Sequence, residues 1–200
     1  MSESKVDLVF QVMGKTIPVD HGYPLYSAIS KVLNNFHEEQ EVYLSPIRGR
    51  YVGNGILDIQ PKSELTLRLP IANLRSYINL AGKKLDILGH AINIGVPNTQ
   101  ALVPAPALYA HLVTTKNGNF QFRFDAEIRR QLSELGIKGS FQIGERRTLA
   151  VHKKQMVGYS LFVNELTAEE SILLQETGLG GRHKMGCGFF LPKGKQADEI

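Results

Sequence analysis

The 200-residue chain has a single cysteine, Cys187. One thiol excludes an internal disulfide and any multi-cysteine zinc site, which suits a reducing compartment. Its place between two glycines reads as a small apolar side chain alternating with glycine in a strand. No apolar run approaches the length of a membrane span, and the opening Met-Ser-Glu-Ser-Lys lacks a signal-peptide core. A soluble, cytoplasmic protein without membrane contact is expected. Metal-ligand spacing is missing, as is a Ser-His-Asp pattern, so the motifs predict neither metal nor cofactor. There is little excess charge of either sign. Residues 1–100 carry ten basic and nine acidic side chains, and residues 101–200 carry thirteen and ten. The second half is the better face for a polyanion, by a small margin. The remainder, 42% apolar and 21% charged, is an ordinary globular composition that can bury a core.

Glycine, by contrast, is concentrated near the C-terminus. Gly178-Leu-Gly-Gly-Arg-His-Lys-Met-Gly-Cys-Gly-Phe-Phe190 follows a helical pattern and precedes an apolar run. Without a Cβ, backbone N–H groups can approach an anion closely. Gly178, Gly180, Gly181, Gly186 and Gly188 are therefore predicted to form a concave nest of donors for phosphate, with Arg182, His183 and Lys184 at its rim. The alternative is a glycine-rich turn joining a helix to a last strand.

Val6–Met13 reads as a strand. Pro24 supplies the first position of a helix whose apolar stripe, Leu25 to Phe36, ends near His37. Half-exposed strands are predicted at 43–47, 56–60 and 65–69, a short helix at 73–80, and two β runs around Gly89. This is the ferredoxin-like order. The second half repeats it. A strand at 109–115 precedes a helix at 125–135 with Asp125 as N-cap, and a hairpin turns around Lys153-Lys154-Gln155. A capping box, Thr167-Ala-Glu-Glu170, opens a helix that runs to Thr177, before the glycine loop and a last strand at 189–191. Pro97–Pro106 reads as an extended connector. The predicted fold is α+β, two tandem ferredoxin-like βαββαβ domains, 1–96 and 97–200.

Among the histidines, His37 sits at the expected C-terminal end of the first helix beside Glu38, Glu39 and Glu41. Both features favour imidazolium and fit a general acid, although a helix-capping role is the plainer reading and the same acids would repel a phosphate. His21 follows Asp20 just before that helix and is equally readable as a loop residue bonded to Asp20. His90 and His111 fall in strand patterns, whereas His152 and His183 lie in basic contexts suited to phosphate. Arg146, Arg147, Lys153 and Lys154 crowd the ends of the predicted hairpin, with Arg129 and Arg130 on the helix before it. Read singly these are solvated faces; taken with Arg182 and Lys184 they favour a nucleic-acid groove. Arg48-Gly-Arg50-Tyr51 is either a clamp with a stacking ring or a turn.

A tandem ferredoxin-like pattern closing on two Gly-apolar-Gly elements around a basic centre resembles the CRISPR precursor-RNA endoribonucleases of the RAMP superfamily. Gly178-Leu179-Gly180 and Gly186-Cys187-Gly188 match both halves of that loop, and Arg182 and Lys184 fill its centre. Asp20-His-Gly-Tyr-Pro-Leu-Tyr-Ser-Ala-Ile29 resembles the lead-in to the family's first helix. Ile47-Arg-Gly-Arg-Tyr51 and Leu102-Val-Pro-Ala-Pro106 are similar to its compact MYXAN-type members. The likeness spans nearly the whole chain.

The resemblance implies metal-independent cleavage of CRISPR repeat RNA. The ribose 2′-OH attacks the adjacent phosphorus, leaving 2′,3′-cyclic phosphate and 5′-OH ends. It further implies a catalytic histidine on or just after the first helix, which selects His37 first and His21 second, with Tyr26 as a helper. The glycine loop would hold RNA backbone, and Arg146, Arg147, His152, Lys153 and Lys154 would grip a repeat stem-loop. Retention of product in an interference complex with other subunits is also implied. The rival readings are a non-catalytic RNA-binding subunit of the same superfamily and a small-molecule enzyme binding a nucleotide phosphate. The second is disfavoured because the loop follows a helix and precedes a strand, the reverse of the usual mononucleotide site.

Overall fold

Along β1 (Lys5–Gly14), Leu8, Phe10 and Val12 recur at every second position and turn one face of a sheet toward a core. The computed structural model describes residues 4–195. Two compact units divide between Ala101 and Leu102.

In the first unit β1 is followed by β2 (Thr16–Pro18), α1 (Gly22–Val32), β3 (Tyr43–Leu44), β4 (Arg50–Gly53), β5 (Ile56–Asp58) and β6 (Glu64–Pro70). Then come α2 (Leu74–Tyr77), a single turn between two 3-10 turns, β7 (Lys84–Ile87) and β8 (His90–Ala101). The main sheet has the antiparallel order β3-β6-β1-β8-β7. Setting β7 aside as an edge hairpin, this is the ferredoxin-like arrangement, with the second strand beside the third, the third beside the first and the first beside the fourth. Strands β2, β5 and β4 form a separate small sheet. From α1, Leu25, Ala28 and Ile29 pack with Phe10, Leu44, Leu67 and Ile87 in one core.

The second unit runs β9 (Ala107–Thr114), α3 (Gln121–Glu134), β10 (Ser140–Val151), β11 (Lys154–Asn164), α4 (Ala168–Thr177) and β12 (Phe190–Pro192). Its sheet order, β10-β11-β9-β12, repeats the ferredoxin-like arrangement. Phe124, Ile128 and Leu132 recur on one face of α3 and meet Leu161, Val163, Leu174 and Phe190 in a second core. Among the described residues, no helix is long and apolar enough to cross a membrane.

Several boundaries differ from the sequence expectation. Helix α1 stops at Val32 and not near His37, because Leu33 leaves the helix for extended backbone (φ −112°, ψ 96°) and a turn follows. Pro97 to Ala101 are not connector but the end of β8, in register with Phe10 to Val6 of β1. Proline is tolerated there because β7 pairs with β8 no further than Asn93, and β1 is irregular between Phe10 and Val12. Helix α3 starts at Gln121 with Phe120 as its N-cap. Asp125 is therefore inside the helix, where its carboxylate accepts from Arg129 at 2.8 Å. The capping box of α4 forms as expected: Thr167 Oγ1 accepts the Glu170 N–H at 3.2 Å, and Glu170 Oε2 accepts the Thr167 N–H at 2.9 Å.

Candidate nucleic-acid interface

Strands β10 and β11 are longer than the sheet they belong to. The last pair between β11 and β9 is Gly158 with Thr114, yet β10 and β11 stay paired from Thr148–Val157 to Val151–Lys154. Four residue pairs therefore project about 13 Å beyond the sheet, at about 3.3 Å per residue. The turn is the two-residue His152-Lys153, with φ of 47° and 65°, the left-handed pair that matches strand twist in a tight hairpin. His152, Lys153, Lys154 and Gln155 are all exposed. Successive charges at the tip of a two-stranded ribbon make a shape that fits a nucleic-acid groove.

The two arginines nearer the sheet separate. Arg146 is exposed. Arg147 lies partly buried and is held by Glu145 Oε2 at 2.7 Å and His111 Nε2 at 3.3 Å, with its Nε buried and unpartnered among the described residues. A guanidinium can only donate, so His111 Nε2 is the acceptor in this contact. Arg129 and Arg130 are likewise committed, to Asp125 and to Glu127 and Glu134. They are not the open basic face expected from the sequence.

The glycine loop is built differently from a nest. The amide of Gly178 donates to Leu174 O, Gly180 to Gln131 Oε1, Gly181 to Thr114 O and Gly188 to Leu112 O. These four donors are spent on the fold, so the predicted cradle of free amides is not what the loop offers. The glycines are needed because backbone lies against backbone. A Cβ on Gly180 would collide with the Thr114 carbonyl oxygen and one on Gly188 with that of Leu179, both at positive φ. Between them Leu179, Cys187 and Phe189 are buried as plugs, so Cys187 is a core residue in a loop and not a strand residue. His183 turns inward, its Nδ1 3.1 Å from Cys187 O and its ring against Gly178 and Gly188. It braces the loop. Arg182 remains exposed in a left-handed conformation (φ 62°), with Nη2 3.1 Å from Met156 Sδ at the hairpin base. Lys184 is half-buried and Gly186 buried.

Docking of the loop on β9 opens a polar cleft of about 340 Å³, lined by Thr114, Thr115, Lys116, Glu127, Gln131 and Gly180 to Arg182. Arg130 and Gln131 hold the Glu127 carboxyl down at about 2 by hydrogen bonding. Glu127 thus stays an ionised carboxylate in the wall of the cleft, paired with Arg130. Neither Thr115 nor Lys116 was singled out in the sequence. The signal was present only as a Thr-Thr-Lys at the end of a strand, which local pattern cannot place beside Arg182.

In the first unit the histidines part ways. His21 is 3% exposed. Its Nε2 accepts the Ile47 N–H at 3.0 Å, which leaves Nδ1–H to donate to Pro18 O at 2.7 Å, and burial lowers its pKa. Both nitrogens are committed to tying the start of α1 to the segment after β3, so His21 is a structural residue and not a second catalytic candidate. His37 is exposed on the turn beyond α1, five residues past the last helical position and outside the reach of the helix dipole. Its Nε2 lies 3.5 Å from Glu38 Oε1, while Glu39 faces Asn73 and Glu41 pairs with Lys5. Tyr26 is a half-buried ring of the core, 5.7 Å from the ring of Phe36. Phe36 is itself 1% exposed and anchors the turn that presents His37. Arg50 lies on β4, paired with Asp58 at 3.0 Å, and Tyr51 stands exposed beside it. Among the described residues, no group of three or more His, Cys, Asp or Glu side chains is placed to hold a metal ion.

Comparison with known proteins agrees with this architecture. The family model described as Cas6 Crispr matches residues 6–195. The CRISPR-associated endonuclease Cas6 of Myxococcus xanthus (strain DK1622) is 37% identical over 199 residues, covering 96% of this chain and 83% of the relative. Two solved structures share the fold at low identity. A Cas6-related protein from Pyrococcus furiosus superposes with a TM-score of 0.64 at 15% identity, over 94% of this chain and 98% of the other. A structure described as CRISPR associated protein Cas6 gives 0.63 at 17% identity over 94% and 98%. A match along nearly the whole chain, on a fold of two ferredoxin-like units with a docked glycine loop, establishes that the chain belongs to the Cas6 family of CRISPR proteins.

Proposed function

We propose that this chain is an endoribonuclease that cleaves CRISPR repeat transcripts without a metal ion and so matures guide RNAs in the cytoplasm. The match to an endonuclease of the same family over nearly its full length carries the reading. The 2′-OH upstream of the cut loses its proton and attacks the adjacent phosphorus, and the P–O5′ bond breaks as the 5′ oxygen gains a proton. The products are a 2′,3′-cyclic phosphate and a 5′-OH. This step needs a group that transfers protons and cations that hold the phosphate. His37 is the proton-transfer residue: it is exposed and stands on a turn fixed by buried Phe36, with Tyr26 acting as a positioning residue behind it.

On the second unit, His152, Lys153 and Lys154 at the hairpin tip and Arg146 behind them grip a repeat stem. Arg182 and Lys184 of the glycine loop take backbone phosphates, and Gly178, Gly180, Gly181, Gly186 and Gly188 hold that loop in shape with His183 as its brace. Arg147 acts through its contact with His111 more than as a free cation. Product retention by an interference complex follows from the same reading.

The test is to incubate purified chain with labelled repeat RNA in EDTA. Cleavage to cyclic-phosphate and 5′-OH ends is expected. Tight binding without cleavage would make the chain a non-catalytic RNA-binding subunit.

A further inference from the structure

Phe120 and Phe122 are among the most exposed large apolar side chains, at 54% and 69%. Their rings lie 6.0 Å apart at the start of α3, and the Arg123 guanidinium sits over both, 5.3 Å from one centroid and 5.7 Å from the other. Neither ring belongs to the core of the unit. As N-cap, Phe120 offers α3 no side-chain acceptor, whereas Thr167 gives α4 a full capping box. The residue at this position therefore does nothing for helix stability that a Ser or Asp would not do better.

Two further observations point to a ligand. Lys116, four residues before Phe120, lines the polar cleft with Arg182, and the Thr115 hydroxyl there is buried without a hydrogen-bond partner among the described residues. Among the described residues, no carboxylate pairs with Lys116 or Arg123, in contrast to Arg129 and Arg130 on the same helix. Tight turns at Gly118 and Phe120 fold the intervening segment, so the backbone of Phe120 lies closer to that of Lys116 than the ~14 Å that four extended residues would span.

We infer that Phe120 and Phe122, with Arg123 across them, form a stacking platform for an unpaired nucleotide of the RNA, whose neighbouring phosphate is led to Lys116 and Arg182 in the cleft. The inference rests on the repeat-RNA reading above and extends it from the stem to a single-stranded segment. Exposed rings flanked by uncommitted cations are the elements of single-strand recognition: a base stacks on the ring face and its backbone meets positive charge. A protein partner would call for a larger continuous apolar patch than two rings bordered by Arg123 and Lys116 provide.

The experiment measures affinity of the full chain for two fluorescent RNAs, the complete repeat and the repeat trimmed to its stem. Phe120→Ala/Phe122→Ala should bind the complete repeat roughly tenfold more weakly than the wild type and the trimmed stem equally well. Phe120→Tyr/Phe122→Tyr, which keeps the rings, should restore binding. Equal affinity of wild type and alanine variant for the complete repeat overturns the inference and leaves a protein surface as the occupant. An equal loss on both RNAs, or failure of the tyrosine variant to restore binding, overturns it as a folding effect. If the wild type itself binds neither RNA, the repeat-RNA reading fails and the platform with it.

Discussion

Asp7 and Arg68 stand directly opposite each other on β1 and β6 and meet through two hydrogen bonds of 2.7 and 2.9 Å, with Arg68 fully buried. Around them Lys5 sits 4.0 Å over the Tyr43 ring and pairs with Glu41 at 2.9 Å. Burial first, then Glu41, pushes the Tyr43 hydroxyl up to about 12. Removing one member strands a buried charge. Asp7→Asn should destabilise the chain by about 3–5 kcal/mol in urea unfolding, whereas Asp7→Leu/Arg68→Met should lose much less. A double variant as unstable as the single one would contradict this account.

The glycine loop yields a paired comparison. At Gly180, alanine meets both a positive φ of 75° and the Thr114 carbonyl, and should cost more than about 1 kcal/mol. At Gly181 nothing lies within 4 Å of a new Cβ, and alanine should change stability by less than about 0.5 kcal/mol. Thermal melts of the two variants decide it, and matching losses would refute the packing explanation.

For His37→Ala, the rate of repeat cleavage should fall by about 10²–10⁴-fold with RNA affinity unchanged. Single-turnover kinetics beside a binding titration separates the two effects. Cleavage at the wild-type rate would remove His37 from the chemistry.

Lys153→Ala/Lys154→Ala should weaken RNA binding to a similar degree across sequences and reduce the slope of log affinity against log salt by about 2. A weakened affinity with the same slope would mean that the hairpin lysines do not meet phosphates.

His21 sets a pH dependence of stability. Its pKa is lowered in the folded chain from an ordinary 6.5, so the unfolded chain binds the proton more readily. The stabilisation is complete above about pH 6.5 and declines as pH falls below it, by up to about 1.4 kcal/mol per unit until the folded group titrates. Urea midpoints between pH 7.5 and 5.5 should drop more for the wild type than for His21→Gln. Parallel curves would argue against a neutral buried imidazole.

What the sequence revealed was local. Thr167 and Glu170 announce their capping box because both partners lie within one turn. The ferredoxin-like order followed from alternating periodicities, and the glycine loop and basic hairpin were visible as compositional clusters. The roles of particular residues were not, because they depend on partners far along the chain. Gly181 and Thr114, bonded to each other, are 67 residues apart, and His21 is buried through Ile47, 26 residues on. Arg129 and Arg130 looked available because a charge count does not show that Asp125, Glu127 and Glu134 fall one helical turn away on the same face. The turn at His152-Lys153 carries no glycine or asparagine, which shifted the expected hairpin tip by about one residue.

The projecting end of β10 and β11 works as an adjustable ruler. Leu149, Val151 and Met156 pack its base against Cys187 and Met185 of the glycine loop, whereas His152 to Gln155 at the tip are exposed, so its length can change at the tip without disturbing the layers behind it. One residue added to each strand would extend its reach by about 3.3 Å but turn the tip lysines to the opposite side, and two would extend it further while keeping them where they are. Relatives suited to RNA helices of different depth would then be expected to differ here by even steps.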